Sequence, residues 1–411
     1  MKQVVPLVEA HDEAIFGSKA VGLGEAARAG IPLPPGVALS GSIVEEVASG
    51  KEHAISEVAS SVKPLGGPLA VRSSAVDEDG ADASFAGQHL TLLGVESSEV
   101  VDEAVREVWW SANSDSAITY RKRSNLFHRP SVGVVVQVLL DPEAAGVMFT
   151  QNPINGADER LIEAAWGLGE VVVDGRVIPD HFRVSRSGEV LERTPGQKKI
   201  AIRMLADGGT REEEVACELV ERPCLDDDQL AELNRLADRC EEVYGPARDI
   251  EWAIAGGRLY LLQCRGVTRA GSSGSPGAPV DVLRSVPLFG DLSTREAQQI
   301  GLLFKKRQFA KGDTIVREGS DGATFFVIES GEASVSVGGK ERAALKPGDY
   351  FGEIALIDEG ARMATITAAS DLVCYGLTYW DFRPLVQENG TIGWKLLQSL
   401  AKKLRDAPQG A

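Results

Sequence analysis

Residues 269–280 read Arg-Ala-Gly-Ser-Ser-Gly-Ser-Pro-Gly-Ala-Pro-Val. Glycine, serine and proline at that density offer no apolar face to bury, so the stretch is expected to be a flexible, solvated connector. At 411 residues the chain is too long for one ordinary core, and the connector supplies the division. The expected organisation is a first domain over 1–268, a linker over 269–281 and a second domain over 282–405. Ahead of the linker, helical and strand-like patterns alternate. Beyond it, short apolar runs are separated by Gly312, Gly319, Gly322, Gly331, Gly338, Gly339, Gly348 and Gly352, which predicts short strands with frequent turns in a small barrel or roll. Leu385, Ile392, Leu396, Leu397, Leu400 and Leu404 then recur at helical spacing, predicting a long helix over 381–404.

The formal net charge is −17. A field of that sign repels phosphate backbones and anionic headgroups, so neither nucleic acid nor a membrane surface is expected as a general partner. Phosphate would have to be held by local groups of Arg, Lys and backbone N–H. The start, Met1-Lys2-Gln3-Val4-Val5-Pro6, lacks the apolar run of a signal peptide. The cysteines, Cys217, Cys224, Cys240, Cys264 and Cys374, are scattered and odd in number, which suits reduced thiols rather than a disulfide framework or a zinc site. A cytoplasmic protein is the expectation.

Three stretches of the first domain carry charge where chemistry could use it. In Phe16-Gly17-Ser18-Lys19-Ala20, Ser18 is placed to cap a helix that runs to about Ala29 and stops at Gly30 and Pro32. A lysine in the first turn suits either a bound anion or a solvated surface. Gly22-x-Gly24 lacks the third glycine and the preceding strand of a dinucleotide fingerprint. The strand Leu69-Ala70-Val71-Arg72-Ser73-Ser74-Ala75 ends near an Arg, whose planar donors suit phosphate oxygens, and a polar loop with Ser84-Phe85-Ala86-Gly87-Gln88 follows.

The third stretch, 249–265, reads as a hairpin turning at Gly256-Gly257, with Asp249 and Glu251 on one strand and Gln263 and Arg265 on the other. A two-residue turn pairs Glu251 with Leu262 and puts the polar pairs on opposite faces. A three-residue loop, 255–257, pairs Glu251 with Leu261 and gathers all four on one face. That arrangement would offer oxygens to a hard cation and a guanidinium to phosphate. Trp109 and Trp110 close an amphipathic pattern and are expected in the core. In the second domain, Phe351-Gly352-Glu353-Ile354-Ala355 and Arg362-Met363-Ala364 combine a glycine turn, a carboxylate for hydroxyls and a cation for phosphate.

Gly-Ser-Lys-Ala (17–20), Val-Arg-Ser-Ser-Ala (71–75), Ala-Ser-Phe-Ala-Gly-Gln (83–88), Gly-Val-Met-Phe-Thr (146–150), Trp-Gly-Leu-Gly-Glu (166–170) and Asp-Ile-Glu-Trp with Leu-Gln-Cys-Arg (249–265) resemble the phosphoenolpyruvate synthase and pyruvate phosphate dikinase family, whose ATP-grasp domain rifampicin phosphotransferases share. The resemblance covers residues 1 to about 268. It implies an α+β chain with an ATP-grasp nucleotide-binding domain in which Lys19, Arg72 and Arg121 grip ATP phosphates. Residues 136–140, with Gln137, would run past the adenine. Glu251 and Gln263 would hold Mg²⁺, and Arg265 would stabilise the transferring phosphoryl group. The sequence departs from the family's Gly-Gly-Lys-Asn at 17–20, and Gln-Cys-Arg-Gly stands at 263–266 for Gln-Ala-Arg-Pro.

Residues 283–405 resemble a cyclic-nucleotide-binding β-roll with flanking helices. By that resemblance Gly352, Glu353, Ile354 and Ala355 bind ribose and phosphate, while Arg362, Met363 and Ala364 close the phosphate pocket. Met363, having no hydroxyl, favours cAMP over cGMP. The short sequence after the last expected helix holds no helix-turn-helix, which argues against a transcription factor.

None of His11, His53, His89, His128 or His181 lies in the phosphohistidine motif of the dikinase relay. The expected function is therefore an ATP-dependent kinase or phosphotransferase, gated by cyclic nucleotide, that phosphorylates a histidine on a separate swivelling domain. The alternative is a non-catalytic ATP and cAMP sensor acting through protein contacts. An ATP-grasp ligase fits the motifs poorly.

Overall fold

The structure, a computed structural model, describes residues 2–75, 90–113, 132–153, 156–266, 278–286, 289–290, 292–301, 303–320, 324–352 and 362–378, with 394, 397 and 398. The chain divides into two units, Met1–Thr268 and Arg269–Ala411. Both combine helices with antiparallel sheets.

The first unit has two large sheets. One contains β1 (Val4–Pro6), β2 (Gly36–Leu39), β3 (Leu69–Ala75), β4 (Thr91–Val95) and β5 (Val132–Val138), in the order β1-β2-β5-β3-β4. The central strand β5 reads as a near-continuous β-branched run because both of its faces are covered. Leu69, Val71, Val134 and Val136 face one way, into a core shared with Ile43, Val44 and Val47 of α3 (Gly41–Ala48), Ala54 and Val58 of α4 (Glu52–Val62), and Val101, Val105 and Val108 of α5 (Val101–Ala112). The opposite face carries Ala70, Arg72, Ser74 and Gln137. Alternation along the strands thus separates the packing residues from the polar set.

α1 (Glu13–Phe16) and α2 (Ser18–Arg28) meet at Gly17. That residue adopts φ 80° and ends α1 with its N–H on the Glu13 carbonyl. Ser18 is consequently the first helical residue and not the N-cap expected of it. Its hydroxyl donates to the Ala75 carbonyl at 3.1 Å, and the capping oxygen comes from another strand, where Ser74 Oγ accepts from the Ala20 N–H at 3.0 Å. A serine forced inside the helix by the tight α1–α2 junction cannot cap it, and β3 fills the role.

The second sheet contains β6 (Ala144–Phe149), β7 (Glu159–Trp166), β8 (Asp180–Ser185), β9 (Val190–Thr194), β12 (Arg248–Ala255) and β13 (Arg258–Gly266), in the order β13-β12-β6-β7-β8-β9. Between β9 and β12 the chain forms a hairpin of β10 (Ile200–Met204) and β11 (Thr210–Glu214). The short helices α6 (Glu170–Val173) and α7 (Cys217–Val220) and the long α8 (Asp227–Tyr244) complete the unit. Asp226 and Gln229 form a reciprocal capping box that starts α8. Its Leu230, Leu233, Leu236 and Ala237 pack with Trp252, Ile250 and Leu261 of the hairpin strands. The buried Asp180 carboxylate is fully matched: it accepts from Lys198 at 2.5 Å and from the N–H groups of Gly196 and Cys224 at 2.8 and 2.7 Å. None of the described helices is long and apolar enough to cross a membrane.

Trp110 departs from expectation. The buried stripe of α5 is Val101, Ala104, Val105, Val108 and Ala112, which leaves Trp110 on the other side, 62% exposed. Trp109 is half-buried against the core and meets Trp110 edge-on at 5.2 Å.

The second unit begins inside the Gly/Ser/Pro tract. Ala278 is buried and α9 (Val280–Ser285) follows at once, packing with α10 (Thr294–Gly301) through Leu283, Phe289, Ala297 and Ile300. The strands are β14 (Lys305–Phe309), β15 (Thr314–Val316), β16 (Thr324–Ser330), β17 (Ala333–Val337), β18 (Lys340–Leu345), β19 (Tyr350–Phe351), β20 (Thr365–Ala368) and β21 (Leu372–Thr378). They form two four-stranded sheets, β14-β21-β16-β19 and β15-β20-β17-β18. Phe326, Ile328, Phe351 and Ile366 fill the core that the two sheets share. The helix expected over 381–404 lies outside the described residues.

The two glycines of α2 separate by their surroundings. A Cβ on Gly24 would stand 2.6 Å from the Leu7 carbonyl and 2.7 Å from that of Ala10, whereas one on Gly22 would meet nothing within 4 Å. Gly22→Ala is expected to stabilise the first unit by about 0.5–1 kcal/mol through helix propensity. Gly24→Ala should lower its unfolding midpoint, because backbone must move. Scanning calorimetry of both variants checks the pair.

Candidate functional site

The β12–β13 hairpin sets the geometry of the first site. Its tip is a two-residue turn: Ala255 pairs with Arg258 across Gly256-Gly257, both at positive φ. That turn alone would have placed Glu251 opposite Leu262. Instead Trp252 pairs with Leu261 and Glu251 with Gln263, so Leu262 is an extra residue in the ladder. This β-bulge moves the register by one and brings Glu251 opposite Gln263 and Asp249 opposite Arg265, all on one face. The three-residue loop expected from sequence is therefore incorrect; the same clustering is produced by a bulge six residues from the turn's first glycine. A bulge leaves little mark in composition, and Leu262 looks like any strand residue.

Arg72 reaches this face from the other sheet. Its Nη1 donates to the Leu262 carbonyl at 2.8 Å, and its Nη2 donates to Gln263 Oε1 at 2.8 Å and Glu251 Oε2 at 3.2 Å. The bulged residue is also the one whose carbonyl Arg72 takes. The Arg72 side chain is only 12% exposed and that of Glu251 23%, so the pair is largely shielded from solvent and screening is reduced. Beside it, Arg265 Nε and Nη2 both reach Asp249 Oδ2 at 2.8 Å. In the sequence Asp249 is only one of a polar group; its ion pair with Arg265 follows from the register.

Lys19 is buried in the first turn of α2, and the Ser74 and Ala75 contacts tie that turn to the end of β3, two residues beyond Arg72. Gln137 lies on the same sheet face, paired with Ala70 and so diagonal to Arg72. It is buried and donates its amide N–H to the Pro34 carbonyl at 3.1 Å. The Val136 side chain turns away into the helical core, leaving only backbone to the polar side there. Arg121 and the Ser84–Gln88 loop lie outside the described residues.

Between Gln263 and Arg265, Cys264 points to the other face. A hydrogen bond with Cys240, followed by burial, pushes its thiol far above the usual range, so it stays protonated and is no nucleophile. His53 is exposed and contacts Glu46 at 3.1 Å, His11 is exposed, and His181 is buried in β8. His89 and His128 lie outside the described residues.

The donor set suits a hard divalent cation. Carboxylate, amide and main-chain oxygens converge on one guanidinium, and Mg²⁺ takes one or two protein oxygens with substrate phosphates completing the shell. Among the described residues no group of three or more His, Cys, Asp or Glu could hold a metal ion by itself, here or elsewhere.

In the second unit Gly352 adopts φ 80°, and a Cβ there would stand 2.5 Å from Arg362 Nη1 and 2.7 Å from the Thr324 carbonyl. Arg362 is buried and donates from Nη2 to that carbonyl at 2.7 Å. Its main chain is fixed at both ends, N–H to Ser320 and carbonyl from Gly319, each at 2.8 Å. Met363 is 69% exposed, so its side chain takes no part in this packing, and Ala364 follows into β20. Glu353, Ile354 and Ala355 lie outside the described residues.

Guanidiniums and hard oxygens thus gather between two sheets of the first unit, with a buried lysine at the start of α2. Residues 37–282 match the family described as pyruvate phosphate dikinase, AMP/ATP-binding domain, and the chain belongs to it. Residues 306–389 match the cyclic nucleotide-binding domain. A probable phosphoenolpyruvate synthase of Methanothermobacter thermautotrophicus is 35% identical over 309 residues, 64% of this chain and 45% of that protein. A rifampicin phosphotransferase of a Streptomyces species is 42% identical over 202 residues, 48% of this chain and 23% of that protein. The chain thus spans less than half the length of either relative. Among solved structures, Thermus thermophilus catabolite activator protein aligns at 32% identity over 30% of this chain and 60% of that one, with a TM-score of 0.27. The chain accordingly pairs a kinase-type ATP-binding domain with a cyclic nucleotide-binding domain.

Gly352→Ala is expected to displace either the Arg362 guanidinium or the Thr324 carbonyl and to add left-handed strain of about 1–2 kcal/mol. The unfolding midpoint of the second unit should fall while that of the first stays put. Calorimetry with the two transitions resolved reads this directly.

Proposed function

We propose that the first unit is an ATP-grasp phosphotransferase domain that binds ATP with Mg²⁺ and passes a phosphoryl group to a histidine on a swivelling partner domain. What supports this above all is the meeting of Arg72, Glu251 and Gln263 across two sheets, beside an Arg265 held by Asp249. Phosphoryl transfer asks a protein mainly for position and charge neutralisation. Lys19 and Arg72 hold the phosphates, with Arg121 as a third cation. Gln137 and the backbone of 136–140 border the base. Glu251 and Gln263 are the residues that would hold Mg²⁺, which would neutralise phosphate charge when bound. Arg265, kept in place by Asp249, faces the charge that builds on the transferring group. None of the five histidines lies in an acceptor motif, so none of them is assigned the acceptor role.

The second unit reads a cyclic nucleotide, with Arg362 pairing the cyclic phosphate and Gly352, Glu353, Ile354, Ala355 and Ala364 around ribose and phosphate. Met363 brings no hydroxyl to guanine, which favours cAMP. The ligand gates the first unit, and such coupling is reciprocal: cAMP and ATP should change each other's affinity by one factor.

Lys19→Ala removes a charge-assisted contact of roughly 1.5–3 kcal/mol. It should weaken ATP binding at least about tenfold and leave cyclic-nucleotide affinity unchanged in calorimetric titration; Arg362→Ala should do the reverse. The activity is tested with ATP labelled in the β-phosphate. Alone, the chain should form AMP slowly, since a site shaped for an imidazole excludes water. With a swivelling histidine domain from the same cell, the β- and γ-phosphates should pass together to that partner's histidine as AMP leaves, water then removing the γ-phosphate, so that the β-label stays on the histidine; Arg265→Ala should stop it. Label on the chain's own histidines would contradict the trans reading.

A further inference from the structure

The oxygens read as metal ligands are all engaged by one side chain of the protein. Arg72 places one guanidinium against Glu251 Oε2, Gln263 Oε1 and the Leu262 carbonyl, at 3.2, 2.8 and 2.8 Å. Two strands of one sheet and a bulge carbonyl supply these oxygens, while the cation comes from β3 of another. A carboxylate, an amide oxygen and a main-chain oxygen turned to one point form a seat for positive charge, whatever fills it.

We propose that Arg72 is the resident cation of the nucleotide-free site. It occupies the seat that a divalent cation takes when ATP is loaded, and Leu262 O is a third oxygen of that seat. The proposal rests on the reading of Glu251 and Gln263 as facing the ATP phosphates.

Two physical arguments carry it. The first is exclusion. A divalent ion within coordination distance of Glu251 and Gln263 would stand beside a guanidinium bonded to the same oxygens, and the two charges repel strongly where solvent is scarce. The second is the route of exchange. β3 is an interior strand, bonded on both sides to β4 and β5, so the Arg72 backbone stays and only the side chain moves. Phosphates entering the site offer it oxygens of higher charge and matching fork geometry. As it turns to them, the seat opens for the cation that travels with ATP. Nucleotide and metal then bind with positive cooperativity, each favouring the state the other needs. The latch also keeps the bulged hairpin docked on β3 before ATP arrives.

The test is Mn²⁺ binding to the full chain without nucleotide, read from the electron paramagnetic resonance signal of free Mn²⁺. Arg72→Met removes the resident cation and keeps bulk, so Mn²⁺ affinity should rise at least fivefold over wild type. Arg72→Lys, whose single ammonium cannot span all three oxygens, should give a smaller rise and decides the matter should the Met variant fail to fold. Adding Glu251→Gln to either variant should cancel the gain, placing the ion at this seat. Unchanged or weaker Mn²⁺ binding in the folded variants would overturn the exchange. Wild-type ATP affinity, measured alongside, separates the two levels: ATP binding without a gain in Mn²⁺ affinity rejects the exchange alone, and no ATP binding rejects the reading beneath it.

Discussion

The β12–β13 ladder carries one residue more on one strand than on the other, and the polar site depends on where that residue falls. Side chains alternate with a period of two, so a slip of one residue turns a whole strand over. With Leu262 bulged, Gln263 and Arg265 share a face with Glu251 and Asp249. Without it, the tight Gly256-Gly257 turn would send them to the opposite side, among Trp252, Ile250 and the α8 leucines of the core. Burying an amide and a guanidinium there without partners would cost several kcal/mol, so core packing and site geometry enforce the same register. The carbonyl of the bulged Leu262 accepts from Arg72.

A net charge of −17 makes the average surface hostile to phosphate, so an anion bound by this chain would depend on local cations that are partly desolvated. Arg72 and Lys19 are fixed through strand and helix ends tied together by Ser74 and Ala75, and Arg265 is held by Asp249. In the second unit the same economy recurs: Arg362 is fixed by the Thr324 carbonyl, and the absence of a side chain at Gly352 leaves room for its guanidinium.

Much of this was legible in the sequence. The strand at Leu69–Ala75, the helix ending at Gly30, the hairpin at Gly256-Gly257 and the many-turned second unit all follow from periodicity and turn residues, because each is a local preference that packing reinforces. The clustering of Asp249, Glu251, Gln263 and Arg265 was also legible, though by the wrong device, since a bulge is decided by neighbouring strands and not by the residues within it. Ser18 misled for a similar reason: the α1–α2 junction at Gly17 took the capping position. Trp110 was misplaced because a helix stripe is set by its core partners, and Ala104, Val105 and Val108 claimed that side. The pairing of Arg72 with residues about 180–190 positions later could not be read from spacing at all.

If this cluster is where nucleotide phosphate and metal meet, a bound metal ion must lie against it. Crystals of the chain grown with a non-hydrolysable ATP analogue and Mn²⁺, examined at the manganese absorption edge, locate the ion without ambiguity. An anomalous peak within coordination distance of Glu251 and Gln263, with the Arg72 guanidinium turned to a phosphate oxygen, is the predicted result. A manganese site elsewhere in the first unit, or Arg72 still bonded to Glu251 beside a bound nucleotide, would contradict it.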